Sequence, residues 1–338
     1  MSASSNDHKT LAGRHRRLQD LAEQSLHLWG LPRNAHITLM NVSENVTYLV
    51  EVPGGDKAVL RIHREGYHTR RAIECELAWL DALQTDAKLA TPQCISGVDG
   101  NAIQELHAKD LPRPRYLVLF EFLDGRAPDE TGDLAPRFEA LGEIAARCHD
   151  HVMTWKKPSP FERPSWNIEA VFGEKALWGN WRAAPGVTPD ISRVLERVEV
   201  AVREHLAVYG NAPTRYNLIH ADMRLANLLI RNESTRLIDF DDCGHGWLMY
   251  DFAAAISFIE DDHRVPELKA AGLKGYRRRR ALEPADEAEI DTMIMLRRMA
   301  LLAWVGSHYD APEAQAMAPT FAEVSARLGS DWLQSVTS

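Results

Sequence analysis

The sequence predicts an α+β protein with a small N-terminal lobe built on an antiparallel sheet and a larger, mainly helical C-terminal lobe. Strand-like patterns come first along the chain, and helical patterns dominate its second half, which is the order typical of α+β proteins. A chain of 338 residues is too long for one small core, so one large or two medium domains are expected. We expect the N-terminal lobe to span residues 1–120 and the C-terminal lobe residues 121–338.

The N-terminal lobe is predicted to begin with a helix and to continue with a β-hairpin. Leu11–Trp29 has the amphipathic spacing of a helix and is followed by Gly30, a common helix terminator. Thr47–Val52 and Lys57–His63 are β-rich runs on either side of Pro53-Gly54-Gly55-Asp56, a strong turn signal. The hydrophobic period therefore changes from helical to alternating at the start of the sheet.

A charged residue lies in the middle of the second predicted strand. Arg61 points to the face opposite Leu60, because successive side chains of a strand alternate between faces. The next segment, Ile73–Leu83, has helical spacing and carries Glu74 and Glu76 in its first half. A basic strand residue is thus followed by a helix that bears acidic residues.

The C-terminal lobe is predicted to follow a short strand, Arg115–Phe122, which ends near Asp124 and leads into a helix. Residues 151–186 form an irregular segment that is rich in Trp and Pro. From Phe252 onward the pattern is helical, with a long apolar-faced stretch over Ile290–Val305.

The chemistry is concentrated between residues 218 and 242, LIHADMRLANLLIRNESTRLIDFDD. His220, Asp222 and Asn227 form the pattern H-x-D-x-x-x-x-N, and Asp239 lies in the predicted strand Leu237–Phe240. Short apolar strands flank both polar clusters. We therefore expect the two clusters to emerge at the same end of a small hairpin.

These residue types suit phosphoryl transfer, which needs positioned groups and charge neutralisation more than covalent help. Asp222 can accept or orient the proton of an attacking hydroxyl, and Asn227 and Asp239 offer the oxygen ligands that Mg²⁺ prefers. A single Asp or Asn in a loop is usually a turn former or a helix cap. The ordered coincidence of all these elements favours the catalytic interpretation.

At these residues the sequence resembles the aminoglycoside phosphotransferase and choline kinase-like family, relatives of the protein kinases. The resemblance implies a two-lobed protein kinase-like fold, use of ATP and Mg²⁺, Asp222 as catalytic carboxylate, and Asn227 and Asp239 as magnesium ligands. It further implies that His220 braces the catalytic loop and that Asp251, in LMYDFAAAI, ties that loop down. A plain helix N-cap is the alternative role of Asp251.

The resemblance also assigns residues of the N-terminal lobe to the nucleotide. Arg61 lies where the family usually carries an ATP-binding Lys, and Glu76 matches the helix Glu that pairs with that basic residue; Glu74 is the fallback. Arg for Lys is not a conservative exchange, although a guanidinium can bind phosphate oxygens. A surface Arg is the competing interpretation of Arg61.

Three further positions are implied to contact ATP. Ser43 could offer its hydroxyl or amide to a phosphate, and backbone groups of Glu121 and Leu123, in RYLVLFEFLDG, would meet the adenine edge. No G-x-G-x-x-G loop covers the phosphates, and the P-loop pattern G-x-x-x-x-G-K-[ST] is missing from the sequence. That second absence excludes the P-loop NTPases.

Other candidates have strong alternatives. Arg224 could steady the transferring phosphoryl charge or be a solvated loop residue, and Asp241 and Asp242 could assist the metal or a cationic substrate or form a solvated turn. The run Glu260–Asp262 could receive a substrate amine, although such runs are usually solvated. Four tryptophans could stack on a substrate but are more often packing anchors: Trp155, Trp166, Trp178 and Trp181.

Composition limits the partners. A net charge of −9 argues against nucleic acid and fits a cationic or a neutral small acceptor equally well. No apolar run is long enough to span a membrane. Four scattered cysteines and a polar N-terminal segment predict free thiols and a cytoplasmic protein.

The leading hypothesis is transfer of the γ-phosphate of ATP to a hydroxyl of an amino alcohol, amino acid or sugar. The resemblance extends to homoserine-kinase-like and stress-response-kinase-like branches, so a Ser/Thr protein kinase is the first alternative. A non-catalytic nucleotide-binding pseudokinase, suggested by Arg61 alone, is the second. The acceptor, the choice of ATP or GTP, and the oligomeric state are left open by the sequence.

Overall fold

The computed structural model describes residues 11–42, 45–107, 113–232 and 234–336. They form two compact units. The first consists of the described residues of Met1–Asp81, Thr91–Asp124 and Lys157–Glu162, and the second of those of Ala82–Ala90, Gly125–Lys156 and Arg163–Ser338. The α+β class expected from the sequence is confirmed. The lobe boundary at residue 120 stays a prediction.

Helices and strands are numbered here in chain order. The α-helices are α1 Leu11–Ser25, α2 Arg70–Thr85, α3 Ala135–Thr154, α4 Ile168–Phe172, α5 Pro189–Tyr209, α6 Tyr250–Ala255, α7 Val265–Arg277, α8 Pro284–Ala288, α9 Ile290–Ser307 and α10 Pro312–Val336. The strands are β1 His36–Val42, β2 Val46–Glu51, β3 Lys57–Ile62, β4 Cys94–Ile95, β5 Ile103–Leu106, β6 Arg115–Glu121, β7 Ser165–Trp166, β8 Tyr216–Ile219, β9 Leu228–Arg231, β10 Ser234–Leu237 and β11 Gly244–Trp247. Short 3₁₀ turns occupy Leu26–Trp29, Trp181–Ala183 and Leu225–Asn227.

The first unit is built on a six-stranded antiparallel sheet. Its strand order is β1-β2-β3-β6-β4, and β5 also pairs with β6. In the register, Arg61 on β3 lies opposite Thr47 on β2 and Val118 on β6. The predicted hairpin is therefore confirmed and forms the centre of the sheet.

One face of this sheet packs against the N-terminal helix. Alternate residues of β3, namely Ala58, Leu60 and Ile62, belong to a buried cluster that also contains Leu21 of α1. The helix continues as a 3₁₀ turn and ends at Gly30, whose φ of 65° is a conformation that glycine adopts without strain. Arg61 is left on the opposite face.

Helix α3 and helix α7 make a close contact at the centre of the second unit. A Cβ on Gly142 would lie 1.9 Å from the carbonyl oxygen of Gly272, and a Cβ on Gly275 would lie 1.8 Å from that of Glu139. Only residues without a Cβ fit at these points, so the two glycines set the spacing of the helices.

Two small sheets carry the polar segments of the second unit. Strands β9 and β10 form an antiparallel hairpin, with Leu228 opposite Leu237, and β8 pairs with β11. The strand predicted over Leu237–Phe240 is wrong, since β10 already ends at Leu237. The following Asp239 has a φ of 61°, which interrupts an extended strand.

The segment predicted to be irregular over residues 151–186 contains more regular structure than expected. Helix α3 runs to Thr154, and β7 and α4 follow. Trp166, Trp178 and Trp181 are buried, so the packing interpretation holds for these three tryptophans. Within the described ranges, no helix is both long and apolar enough to cross a bilayer.

Candidate active site

The Asp222 carboxylate lies at the centre of a polar cluster in the second unit. Its Oδ2 accepts from Nδ2 of Asn227 at 2.7 Å and from Nε of Arg224 at 3.3 Å. Its Oδ1 accepts from Nη2 of Arg297 at 2.7 Å. The side chain is 13% exposed, so the carboxylate is tightly held yet accessible.

The backbone before Asp222 is fixed by Asp251 in the first turn of α6. Oδ1 of Asp251 accepts from the amide of Ala221 at 2.7 Å, and Oδ2 accepts from the amide of His220 at 3.2 Å and pairs with Nε2 of His149 at 3.0 Å. Ala221 has a φ of 67°, an unfavourable left-handed conformation that costs about 1–2 kcal/mol. Asp251 therefore does tie the loop down as expected, whereas the N-cap position is occupied by Met249.

His220 links the loop to the β9–β10 hairpin. Its Nδ1 accepts from the amide of Asp222, and its Nε2 lies 3.2 Å from the carbonyl oxygen of Ile238. Because a backbone amide can only donate, Nδ1 is the acceptor of the ring and Nε2 is placed to donate to the carbonyl of Ile238. The ring also packs edge-on against Phe240. The bracing role predicted for His220 matches these contacts.

The hairpin brings Asn227 and Asp239 to the same end, as the sequence predicted. Asn227 directly precedes β9, Asp239 follows β10 by two residues, and the amide of Ile238 donates to the carbonyl of Asn227 at 2.9 Å. Both side-chain hydrogen bonds of Asn227 use Nδ2, so Oδ1 is the atom that could contact a cation. The side chain of Asp239 is exposed.

One neutral and one charged oxygen donor fit a hard cation such as Mg²⁺, which keeps water and phosphate oxygens as its other ligands. Within the described ranges, no group of three or more His, Cys, Asp or Glu residues is arranged to hold a metal. The donors of Asn227 and Asp239 are of the kind that such a cation takes.

Arg224 does not lie free in solvent. It contacts Asp222, its Nη1 donates to Glu313 at 3.1 Å, and its guanidinium lies 5.7 Å from the ring centre of Phe258. Burial lowers the pKa of Arg224, but Asp222, Glu313 and Asp239 together raise it above its ordinary value. Arg224 is therefore a fixed positive charge beside the carboxylate.

Arg297, on α9, is the site residue that the sequence analysis missed. It is 2% exposed and belongs to the stretch Ile290–Val305, which was predicted only as an apolar-faced helix. Two adjacent arginines interrupt that stretch, Arg297 and Arg298, and this interruption is the signal that could have revealed them. Both are buried.

The charges around Asp222 decide its protonation state. Burial raises the pKa of this carboxyl, but Arg224 and Arg297 outweigh burial and hold the pKa below its ordinary value. Asp222 is therefore ionised at neutral pH, ready to accept a hydrogen bond from a hydroxyl.

In the first unit, Arg61 and Glu76 form a buried ion pair, as the sequence predicted. Nη2 of Arg61 donates to Oε1 of Glu76 at 2.6 Å, and the guanidinium lies 4.9 Å from the ring centre of Phe120. Glu74 instead pairs with Arg70 and is part-exposed, so Glu76 and not Glu74 is the partner. The interpretation of Arg61 as a surface residue is wrong.

The other predicted nucleotide contacts have different outcomes. The amide of Glu121 donates to the carbonyl of Gln93 at 2.8 Å, so that amide is already used. Leu123 is half-buried and stays a predicted adenine contact. Ser43 lies outside the described residues.

Two acidic segments differ from the solvated turns expected. Asp241 is buried, and its carbonyl accepts from Arg163. Glu260, in the connection between α6 and α7, is also buried and pairs with Arg298 at 2.7 Å. Asp261 is exposed, as expected.

A cavity of about 390 Å³ opens beside Arg224 within the second unit. Acidic and aromatic side chains share its wall: Glu130, Asp261, Glu313, Phe258 and Phe321. Phe258 has a φ of 72°, a genuine outlier for a bulky residue. Such strain is concentrated at functional sites, and this one lies next to the catalytic loop.

The model of the phosphotransferase enzyme family (APH) matches residues 39–283, most of the chain and all of the polar cluster around Asp222 except Arg297. The chain belongs to this family. It is accordingly a phosphotransferase with an alcohol group as acceptor, and the two-lobed protein kinase-like architecture expected from the sequence is that of its structural neighbours.

Several relatives show how far the similarity extends. The structure of the microcompartment-associated aminopropanol kinase is 41% identical and covers 94% of this chain and 98% of its own, with a TM-score of 0.87. The amicoumacin kinase hAmiN, solved with AMP-PNP, Ca²⁺ and Ami, is 19% identical over 93% of this chain and 96% of its own, with a TM-score of 0.76, which shows a shared fold. An uncharacterised protein from Deinococcus radiodurans is 29% identical over 80% of this chain and 77% of its own length.

Proposed function

We propose that this phosphotransferase uses ATP and Mg²⁺ to phosphorylate the hydroxyl of a small amino alcohol. The observation that carries the proposal is the β9–β10 hairpin, which sets Asn227 and Asp239 at one end, next to a carboxylate that has an exposed edge. The kinase of 41% identity is described as acting on aminopropanol, which supports an acceptor of this class.

Asp222 orients the acceptor hydroxyl and receives its proton. Its low pKa makes it a weak base, which suits a loose transition state in which the proton leaves late. Arg224, fixed beside Asp222, offsets negative charge that develops on the transferred group. Positioning and charge therefore supply the catalysis.

Asn227 and Asp239 would hold the metal, whose chemistry is to neutralise phosphate oxygens when it is bound. Arg61, braced by Glu76, would bind the nucleotide phosphates. Ser43 and backbone groups of Leu123 are proposed as further nucleotide contacts, and only the carbonyl of Glu121 is retained for the adenine edge.

The cavity beside Arg224 would hold the amine end of the acceptor. Three carboxylates, from Glu130, Asp261 and Glu313, line a space of about 390 Å³ together with the rings of Phe258 and Phe321 and the guanidiniums of Arg224 and Arg298. Carboxylates and aromatic faces both attract ammonium groups. A neutral hydroxyl can donate a hydrogen bond to these carboxylates, but only an ammonium group adds ionic attraction. Because three carboxylates outnumber the two guanidiniums, the wall favours a cationic acceptor.

Steady-state ADP release measures this proposal directly. With ATP and Mg²⁺, we expect turnover of 1-amino-2-propanol or ethanolamine to exceed that of glycerol and of glucose. Asp222→Asn should lower kcat by about 10²–10⁴-fold, the usual contribution of a catalytic acid or base. Asp239→Ala should raise the Mg²⁺ concentration needed for half-maximal rate.

The nucleotide-binding step provides the control. Asp222→Asn should keep the thermal shift that ATP with Mg²⁺ produces, whereas Asp239→Ala should reduce it.

Labelling of a generic protein in preference to the amino alcohols would favour a protein kinase. A wild-type protein that binds ATP but releases no ADP with any acceptor would be a pseudokinase. A cytoplasmic location stays a prediction from the sequence.

A further inference from the structure

A buried arginine, Arg297, contacts the catalytic loop from a helix that lies 75 residues further along the chain. Its side chain is 2% exposed, and burial of a guanidinium is costly unless its partners are well placed. Asp222 is its acidic partner at 2.7 Å. The buried position of Arg297 beside Asp222 must be explained either by packing or by the effect of Arg297 on that carboxylate.

One hydrogen bond and two aromatic rings from other residues of the second unit hold the guanidinium. Its Nε donates to the hydroxyl of Ser257 at 3.2 Å. The aromatic rings of Trp178 and Tyr250 lie 5.2 and 5.7 Å from it. Trp178 packs in turn on Trp166, with ring centres 4.8 Å apart. The arginine can therefore hardly change its direction.

The hydrogen bonds of Asp222 show what this rigidity achieves. An ionised carboxylate has about four acceptor positions, two on each oxygen. Asn227 and Arg224 fill both positions of Oδ2, whereas Arg297 fills only one position of Oδ1. The remaining position belongs to Oδ1, the oxygen that Arg297 holds.

We propose that Arg297 is a positioning residue that aims the open acceptor position of Asp222 Oδ1 at the hydroxyl to be phosphorylated. The inference rests on the proposed function of Asp222. Without Arg297 the carboxylate can still pivot about its two bonds on Oδ2, so the acceptor hydroxyl loses its fixed partner. Substrate binding groups elsewhere are unaffected, so kcat falls and KM does not.

The test replaces Arg297 in the full chain and measures ADP release with ATP, Mg²⁺ and 1-amino-2-propanol. Arg297→Met should lower kcat by about 10²-fold, the cost of a misplaced reacting group, with both KM values unchanged. Arg297→Lys keeps one charged donor and should recover about tenfold of that loss. Guanidinium chloride at millimolar concentration should partly restore Arg297→Ala, whereas sodium chloride should not.

Arg215→Met is the matched control. Arg215 pairs with Asp286 at 2.9 Å and lies 4.7 Å from the ring centre of Tyr209, so it resembles Arg297 in chemistry but does not contact Asp222. We expect this control to lose stability and to keep the wild-type kcat.

The outcomes separate the positioning role from packing. A wild-type kcat in folded Arg297→Met, or a loss that appears only in KM, would overturn the inference. If Arg297→Met does not fold, Arg297→Lys decides by the same split between kcat and KM: a lower kcat supports the positioning role, and a wild-type kcat with reduced thermal stability contradicts it. Full activity of Asp222→Asn would instead contradict the proposed function itself.

Discussion

Each unit contains a buried pair of an arginine and a carboxylate. The two pairs differ in which partner is the more buried. In the first unit, the side chain of Arg61 is 7% exposed and that of Glu76 is 0% exposed; in the second, Arg297 is 2% exposed and Asp222 is 13% exposed. Both guanidiniums lie on aromatic rings. The pairs have the same chemistry, but the less buried partner is the arginine in the first and the carboxylate in the second.

In each pair, we infer that the less buried partner is the group that meets a ligand. Glu76 is fully enclosed, so it can act only by holding Arg61 in place. Arg297 is likewise enclosed and holds Asp222, which keeps an open acceptor position. A buried ion pair contributes little net stability compared with apolar packing. We infer that each pair is retained because its more buried side chain fixes the direction of its less buried side chain.

The largest difference should appear when each arginine is removed. Arg61→Met leaves the enclosed Glu76 without its ion-pair partner and should cost about 3–5 kcal/mol of unfolding free energy. Arg297→Met leaves Asp222 with the Asn227 and Arg224 bonds and should cost about 1–2 kcal/mol. Urea unfolding of the two variants beside wild type measures both costs.

The double variant Arg61→Met/Glu76→Met is the control for this prediction. Because both charges are gone, its stability should return to within about 2 kcal/mol of wild type. Equal losses for the two single arginine variants would contradict the distinction between the two pairs.

The two pairs also differ in how far the sequence predicts them. Arg61 and Glu76 lie in neighbouring elements, and the family resemblance implied their pairing, with Glu74 as the fallback. The contact of Arg297 with Asp222 depends on how α9 packs, which local periodicity does not encode. A buried arginine in an apolar helix indicates a partner without saying which one.

The same limit explains the strand error near the metal position. Ile238 and Phe240 are apolar and alternate like strand residues, so Leu237–Phe240 was expected to be extended. Phe240 instead packs on His220, and Asp239 adopts a φ of 61° that aspartate tolerates better than most residues. Tertiary contacts of the catalytic loop override the local pattern here.

A smaller effect is expected from Arg61→Lys, which tests whether Arg61, the less buried residue of its pair, needs a guanidinium. A lysine ammonium keeps the charge and can bind phosphate as a point charge, but it loses the planar fork. We expect a stability cost of about 1 kcal/mol and a KM for ATP within about tenfold of wild type. If the KM for ATP of Arg61→Lys rises as much as that of Arg61→Met, the guanidinium geometry itself is required.

The smallest effect should come from Glu260, the partner of the neighbouring Arg298, whose pair faces inward on both sides: the two side chains are 3% and 1% exposed. Burial raises the pKa of Glu260 above its ordinary value of 4.5, although Arg298 opposes the shift. The folded protein therefore binds this proton more tightly than the unfolded chain, so the contribution of Glu260 to stability falls as pH rises through about 4.5 towards the folded pKa. Urea unfolding between pH 4 and pH 7 should show wild type losing stability relative to Glu260→Gln as pH rises. The opposite slope would mean that Arg298 stabilises the charge of Glu260 as Arg297 stabilises that of Asp222, and the two adjacent arginines would then act alike.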